Sequence, residues 1–246
     1  MGNRWSIRII SLIIVLAAWE AAGRGGIRYL APPSLIVETG YNIIVSAKTI
    51  EYLSDLLQFI FYGYGLAVLL GISIGLLTGH FRKVEYSLDP FLTALYSVPP
   101  ITWLPLLLIA MGIGNLPIIV IVFLFCFFSI WINTMEGVKN TDRKLVEAAK
   151  SFGTSGRQLF FKVYLPSSIP YIFAGLRLGI GESVKAALVA EMYIITGFGL
   201  LLTRASNNYD TATSFVVMAI IIVIGVLSTE LIKFFGRKVA PWIENM

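Results

Sequence analysis

Six long apolar runs separated by short polar segments organise the chain: about Ile7–Gly23, Leu56–Gly79, Pro90–Met111, Leu116–Met135, Ile169–Ile195 and Phe215–Phe235. A bilayer core asks for about 20 consecutive apolar residues per helix, and each run comes near that length. None alternates apolar and polar positions as a lipid-facing barrel strand must, and in lipid each backbone amide has to be satisfied within its own segment. The pattern predicts an all-α, polytopic membrane protein with six spanning helices in a single domain covering residues 1–246.

Within the second run Gly63, Ala67, Gly71, Gly75 and Gly79 recur every four residues, which puts small side chains on one stripe and predicts close approach of a neighbouring helix. The third run holds Pro99, Pro100 and Pro105, which remove backbone donors and predict a kink or a broken helix at membrane depth. Such a break can line a pathway, or it can be static and filled by neighbours. The first run imitates a secretory signal, but Trp19 and Glu20 suit a cleavage region badly, so an uncleaved span is expected.

Between runs, Met111 to Leu116 leaves room only for a tight turn, and Gly23 to Asp55 reads as a loop followed by an amphipathic lead into the second span. Gly197 to Thr213 reads as an outer loop, either a surface for an external partner or an inert connector.

Composition agrees with the pattern. The 246 residues are 57% hydrophobic and 13% charged, with mean hydropathy +0.82, which excludes an ordinary water-soluble fold. The net charge of +5 reports topology rather than nucleic-acid binding. With the N-terminus inside, the cytoplasmic segments hold Arg4, Arg8, Arg82, Lys83, Lys139, Arg143, Lys144, Lys150, Arg157, Lys162, Lys233, Arg237 and Lys238. The outer segments hold only Arg24, Arg28, Lys48 and Arg204. This asymmetry satisfies the positive-inside rule and places both termini in the cytosol.

Cys126 is the only cysteine and His80 the only histidine, so an intrachain disulfide is excluded and no metal site is expected. Cys126 reads as small apolar packing in the fourth span, and His80 as an interfacial residue.

The fifth run contains Arg177, Glu182, Lys185 and Glu191, each costly in hydrocarbon and so expected to face protein or water. Helical geometry puts Arg177, Glu182 and Lys185 on one side, with Glu182 and Lys185 an i,i+3 pair. A polar pathway lining (with Pro99 and Pro100), a purely structural ion pair, and anion binding by Lys185 all remain open.

The segment from Gly137 to Pro166 is the long, basic cytoplasmic loop. Asp142 offers a helix start and Gly153 a stop, and a second short helix is expected over Ser155 to Tyr164, ended by Pro166. Two short amphipathic helices meeting at a glycine bend expose apolar residues that suit a partner's groove.

Glu147-Ala148-Ala149, then Gly153, then Leu165-Pro166, with Val163 replacing an isoleucine, resembles the cytoplasmic signature of ATP-binding-cassette importer permeases. The likeness spans nearly the whole chain and is nearest the nitrate, sulfonate and taurine branch: Ile132-Asn133-Thr134 with Gly137, Gly175-Leu176-Arg177, Ala190-Glu191 and Gly197-Phe198-Gly199 also fit. The resemblance implies a transport subunit rather than an enzyme, in a bacterial cytoplasmic membrane. It implies two copies of this chain in lipid, two ATPase subunits that carry ATP and Mg²⁺, and an extracytoplasmic substrate-binding protein. Coupling would run through Glu147, Ala148, Ala149, Lys150, Phe152, Gly153, Leu165 and Pro166, with Glu147 pairing to the partner or capping its own helix. No Gly-x-x-x-x-Gly-Lys-Ser/Thr loop occurs, so no cofactor is expected on this chain. The alternative is a stand-alone secondary transporter or channel.

Overall fold

The computed structural model describes residues 2–27 and 29–239, with side chains from Ile7 onward. Arg28, counted above among the outer charges, lies outside the described residues, as does the side chain of Arg4. Among the described residues every regular element is a helix. Three helices are long and apolar enough to cross a membrane: α3 (Ala47–His80), α6 (Asn115–Lys139) and α11 (Thr211–Val239). Two bent pairs bring the number to at most five: α4 (Arg82–Tyr96) with Pro100–Met111, at 85°, and Gly156–Ile194 with α10 (Gly197–Asn207), at 62°. The first predicted span lies within α1 (Gly2–Arg24), which is not among those three helices.

The chain forms two compact units, one of Met1–Asp55 with Glu191–Ile222, the other of Leu56–Ala190 with Val223–Met246. In the second unit α3 and α6 pack along the predicted small-residue stripe. A Cβ placed on Gly63 would lie 2.7 Å from that of Val122, on Gly75 2.6 Å from that of Thr134, and on Gly79 2.7 Å from that of Val138. On Gly71 it would lie 2.9 Å from Cγ2 of Ile130. Each partner lies the same number of residues farther along, so the two helices run parallel and in register. Only hydrogen fits at such a seam, and Ala67 is fully buried within it. The indole N–H of Trp131 donates to Thr78 Oγ1 at 3.1 Å, satisfying a buried polar tip in the same layer.

A neighbouring face of α6 meets the helix α9 (Leu165–Ile194) in antiparallel sense, with Gly137 against Tyr171 and Ser168, and Gly175 against Asn133 and Ile130, so that Ile130 touches both partner helices. Cys126 is buried here and its thiol donates to the Gly179 carbonyl at 3.1 Å, consistent with a packing role. The Tyr64 hydroxyl donates to the Leu176 carbonyl at 2.9 Å, tying α3 to α9.

In the first unit α2 (Pro33–Val45) is the expected lead into α3. The Trp19 indole donates to the Ala31 carbonyl at 3.1 Å and its ring lies 5.5 Å from that of Phe215. Glu20 accepts from the Ser34 amide at 3.0 Å and pairs with Arg24 at 2.5 Å, fixing the chain reversal after α1.

Three expectations are corrected. The third predicted span breaks at Pro99 and Pro100 as its prolines predict, but it starts earlier than Pro90: α4 begins at Arg82 with Pro90 inside it, and the chain breaks over Ser97–Pro99 before a 3-10 turn at Pro100–Trp103 and α5 (Leu104–Met111). Two consecutive prolines deprive that turn of its amide donors, which is why the break falls there. The segment after Gly197 is not a loop but the helix α10, because Leu200, Leu201 and Leu202 are good helix formers and the 62° corner is made at its start by Ile195 and Gly197, at φ +63 and +59.

Pro166, finally, does not end a helix. A single helical path runs from α8 (Gly156–Leu159) through a π turn at Phe160–Tyr164 into α9. Leu165 N–H bonds to the Phe160 carbonyl five residues back, and this wider register absorbs the donor that Pro166 lacks.

Candidate coupling and translocation residues

The segment with the strongest sequence signal forms α7 (Arg143–Ser151). Asp142 caps it, its side chain accepting from Lys144 N at 2.8 Å, which satisfies one of the free amides of the first turn. At the other end Gly153 sits at φ +79, Gly153 N donates to the Lys150 carbonyl at 2.9 Å and Thr154 N to the Ala149 carbonyl at 3.0 Å. That pair of bonds is the Schellman closure, which requires a left-handed residue after the cap and so favours glycine. Nine residues of helix are thereby held without burying any of their side chains.

The apolar positions that would normally stabilise such a helix are on its outside: Leu145 is 54% exposed and Phe152, at the cap, 89%. Glu147, Ala148 and Lys150 are exposed as well and Ala149 is half-buried. Glu147 does not cap the helix. It pairs with Arg143 one turn back at 2.8 Å, both side chains well exposed, so the pair contributes little stability. Leu165 and Pro166 lie apart from α7, half-buried in the first turn of α9, while α7 packs beside the α8 and π-turn stretch.

The intramembrane charges separate into different settings. Lys185 Nζ lies 2.6 Å from Glu182 Oε1, forming the expected i,i+3 pair, with 61% and 36% of the two side chains exposed on this chain. Arg177 is half-buried on the same helix and takes part in no ion pair among the described residues. Pro99 and Pro100 stand at the break before α5, and no hydrogen bond or ion pair among the described residues joins them to Arg177, Glu182 or Lys185.

Glu191 belongs to the other compact unit and is wholly buried. Its Oε2 accepts from Gly199 N at 2.9 Å, while Oε1 has no hydrogen-bond partner. A Cβ on Gly197 would fall 2.7 Å from the carboxylate, and one on Gly199 would overlap the Met192 amide. Glu191 therefore holds the corner between α9 and α10 instead of lying with the Glu182 and Lys185 pair. The sequence carried a signal for this in the two glycines flanking Phe198, whose closeness to Glu191 only the fold reveals.

Nearby, Tyr29 and Tyr209 both adopt left-handed backbone conformations, φ 69° and 57°, with ring centroids 5.0 Å apart and both side chains exposed. Asp210 caps α11, accepting from Thr213 N at 3.0 Å. Their left-handed conformation is not legible in the sequence, since nothing in their neighbours demands φ above zero.

A membrane-embedded helical subunit with a small exposed helix of this signature defines a class, the transport permeases. Residues 67–243 match the family described as binding-protein-dependent transport system inner membrane component, and the chain belongs to that family. It is 30% identical over 242 residues to the putative aliphatic sulfonates transport permease protein of Bacillus subtilis, covering 97% of this chain and 88% of that one. It is 28% identical over 251 residues to the taurine transport system permease protein of Escherichia coli, with 98% and 91% covered. To the nitrate import permease protein of Synechocystis it is 27% identical over 243 residues, with 94% and 88% covered. The relatives are named as transport permeases, in keeping with the transport role the sequence predicts.

Proposed function

We propose that this chain is one of two identical membrane subunits of an ATP-driven importer, docking through residues 137–166 on a separate ATPase and receiving a small solute from an external binding protein. The observation that carries the reading is α7, capped at both ends yet presenting Phe152 and Leu145 outward. A short helix with its apolar end in water is stable in isolation only marginally, and a groove on a partner supplies the missing burial.

Six spans follow if α1 crosses as well. Its outer charges Glu20 and Arg24 neutralise each other, and the two bent pairs each count as one crossing. Both termini then lie in the cytosol of a bacterial inner membrane, and ATP with Mg²⁺ binds the partner ATPase. Closure of two ATPases draws each α7 inward. Because the helical path from Gly156 to Ile194 is unbroken, displacement at its cytoplasmic end is transmitted along α9, past Arg177, Glu182 and Lys185, toward the outer corner held by Glu191. Hydrolysis reverses the motion.

The solutes in the relatives' names, sulfonates, taurine and nitrate, share an oxyanion group. Arg177, which no carboxylate neutralises among the described residues, is the candidate for meeting it. The exposed Tyr29 and Tyr209 pair lies on the outer side, available to the binding protein.

Co-purification with the nucleotide-binding subunit, followed by uptake in proteoliposomes, tests the reading. ATP-dependent uptake by the assembled complex is expected. Ion-driven uptake by the purified chain alone would identify a secondary transporter instead.

A further inference from the structure

Where α3 ends and α8 begins, the second unit leaves an apolar groove of about 390 Å³, walled by Leu76, Leu77, His80, Phe160 and Phe161, with Arg157 at its rim. That volume is in the range of small-ligand pockets, about 300–1,000 Å³. The floor is aromatic: the His80 ring stands edge-on to Phe160 at 4.9 Å and to Tyr164 at 5.1 Å, and Phe160 edge-on to Phe161 at 5.2 Å. The π turn at Phe160–Tyr164 makes this wall, and such widened turns often mark functional sites.

The charge around the groove has one sign. The Arg157 guanidinium lies over the Phe161 ring, 5.6 Å from its centroid, and no carboxylate among the described residues pairs with it. Arg82 and Lys83 follow directly on Phe81, another residue of the lining. The acid nearest to them in sequence, Glu85, is engaged by Lys139 at 2.8 Å. A guanidinium held near a ring with no carboxylate partner has its N–H fork free for a phosphate, which it matches with two parallel bonds.

We propose that this groove holds an acyl chain of an anionic phospholipid whose phosphate is gripped by Arg157. The assignment to the cytoplasmic leaflet rests on the topology proposed above, but the groove, its lining and its charge do not. An apolar slot with a cationic rim at a span end has the two-part character of a lipid: hydrocarbon that the aromatic wall desolvates, and a headgroup that basic residues attract. A water-soluble anion would use the rim and leave the slot without a partner.

The test is lipid retention by the isolated full-length chain, without the ATPase, so that failure here and failure of the importer reading are distinguishable. Purified protein is exposed to equal amounts of phosphatidylglycerol and phosphatidylcholine with identical acyl chains, and bound lipid is counted by native mass spectrometry. Wild type is expected to retain phosphatidylglycerol preferentially. Arg157→Gln should lower that preference about fivefold, and Leu77→Trp, which fills the slot, should lower retention of both lipids. Lys238→Gln, which removes a basic residue seated on Phe234, should leave the preference unchanged.

Equal retention of the two lipids by wild type would overturn the proposal. So would a Lys238→Gln effect as large as that of Arg157→Gln, which would mean diffuse surface charge. A groove covered instead by a second copy of the chain, shown by a dimer that Leu77→Trp breaks while headgroup preference is absent, would overturn it as well.

Discussion

The seam between α3 and α6 and the helix α7 are both specified by small residues at regular positions, yet one buries everything it has and the other almost nothing. Along the seam, four glycines face Val122, Ile130, Thr134 and Val138 so closely that no added carbon fits, and Ala67 among them is fully buried. In α7 a single glycine closes the helix, Ala148 lies open, and Phe152 stands 89% exposed beside it. Tight packing in the first case explains its sequence completely. In the second the fold explains the caps but not the exposed apolar residues, and an exposed phenylalanine on a rigid support is what an interface uses as an anchor.

The largest effect should come from breaking the seam. Gly75→Leu forces a branched side chain where even a Cβ would meet Thr134 at 2.6 Å, and thermal unfolding in detergent should show destabilisation of about 3 kcal/mol or loss of folded protein. Tolerance of leucine there would refute the close parallel packing of α3 and α6. Phe152→Asp should do the reverse, leaving the melting temperature unchanged while weakening association with the ATPase by about 2–4 kcal/mol. Should association survive intact, α7 would lose its role as anchor.

Gly153→Val is intermediate. It keeps the chain length but places a β-branched residue at φ +79, costing about 1–3 kcal/mol locally, and ATP-driven uptake should fall well below wild type while the α3 and α6 seam still melts normally. Uptake at the wild-type rate would show that the bend is dispensable. The smallest effect belongs to Lys185→Met, since an exposed i,i+3 pair contributes about 0–1 kcal/mol. Stability and the substrate dependence of uptake should both stay close to wild type, and a changed substrate dependence would move Lys185 from a structural role to the pathway.

What could be read from the chain depended on the range of the interaction. The glycine stripe and the α7 caps are local, set by residues three or four apart, and their spacing alone is diagnostic. Pro166 misleads because its usual consequence, a helix end, is cancelled by a π turn that forms through the packing of Phe160 and Tyr164 against His80. The segment after Gly197 misleads for a related reason. Its two flanking glycines look like loop residues, but they serve close approach to the buried Glu191, and the leucines between Gly199 and Thr203 carry a helix. For the charged residues, periodicity found the Glu182 and Lys185 pair but said nothing of the setting of Glu191, because one helix passes through two environments that no wheel separates.

The most direct test uses the chain's own chemistry. Cys126 is its only cysteine and is fully buried, so Phe152→Cys introduces one accessible thiol at the exposed end of α7. With a short thiol crosslinker and the ATPase present, a covalent permease–ATPase product should form, and the ATPase should shield this thiol from a soluble maleimide. No crosslinked product, with labelling equally fast in the presence and absence of an ATPase shown to be bound, would contradict docking through α7.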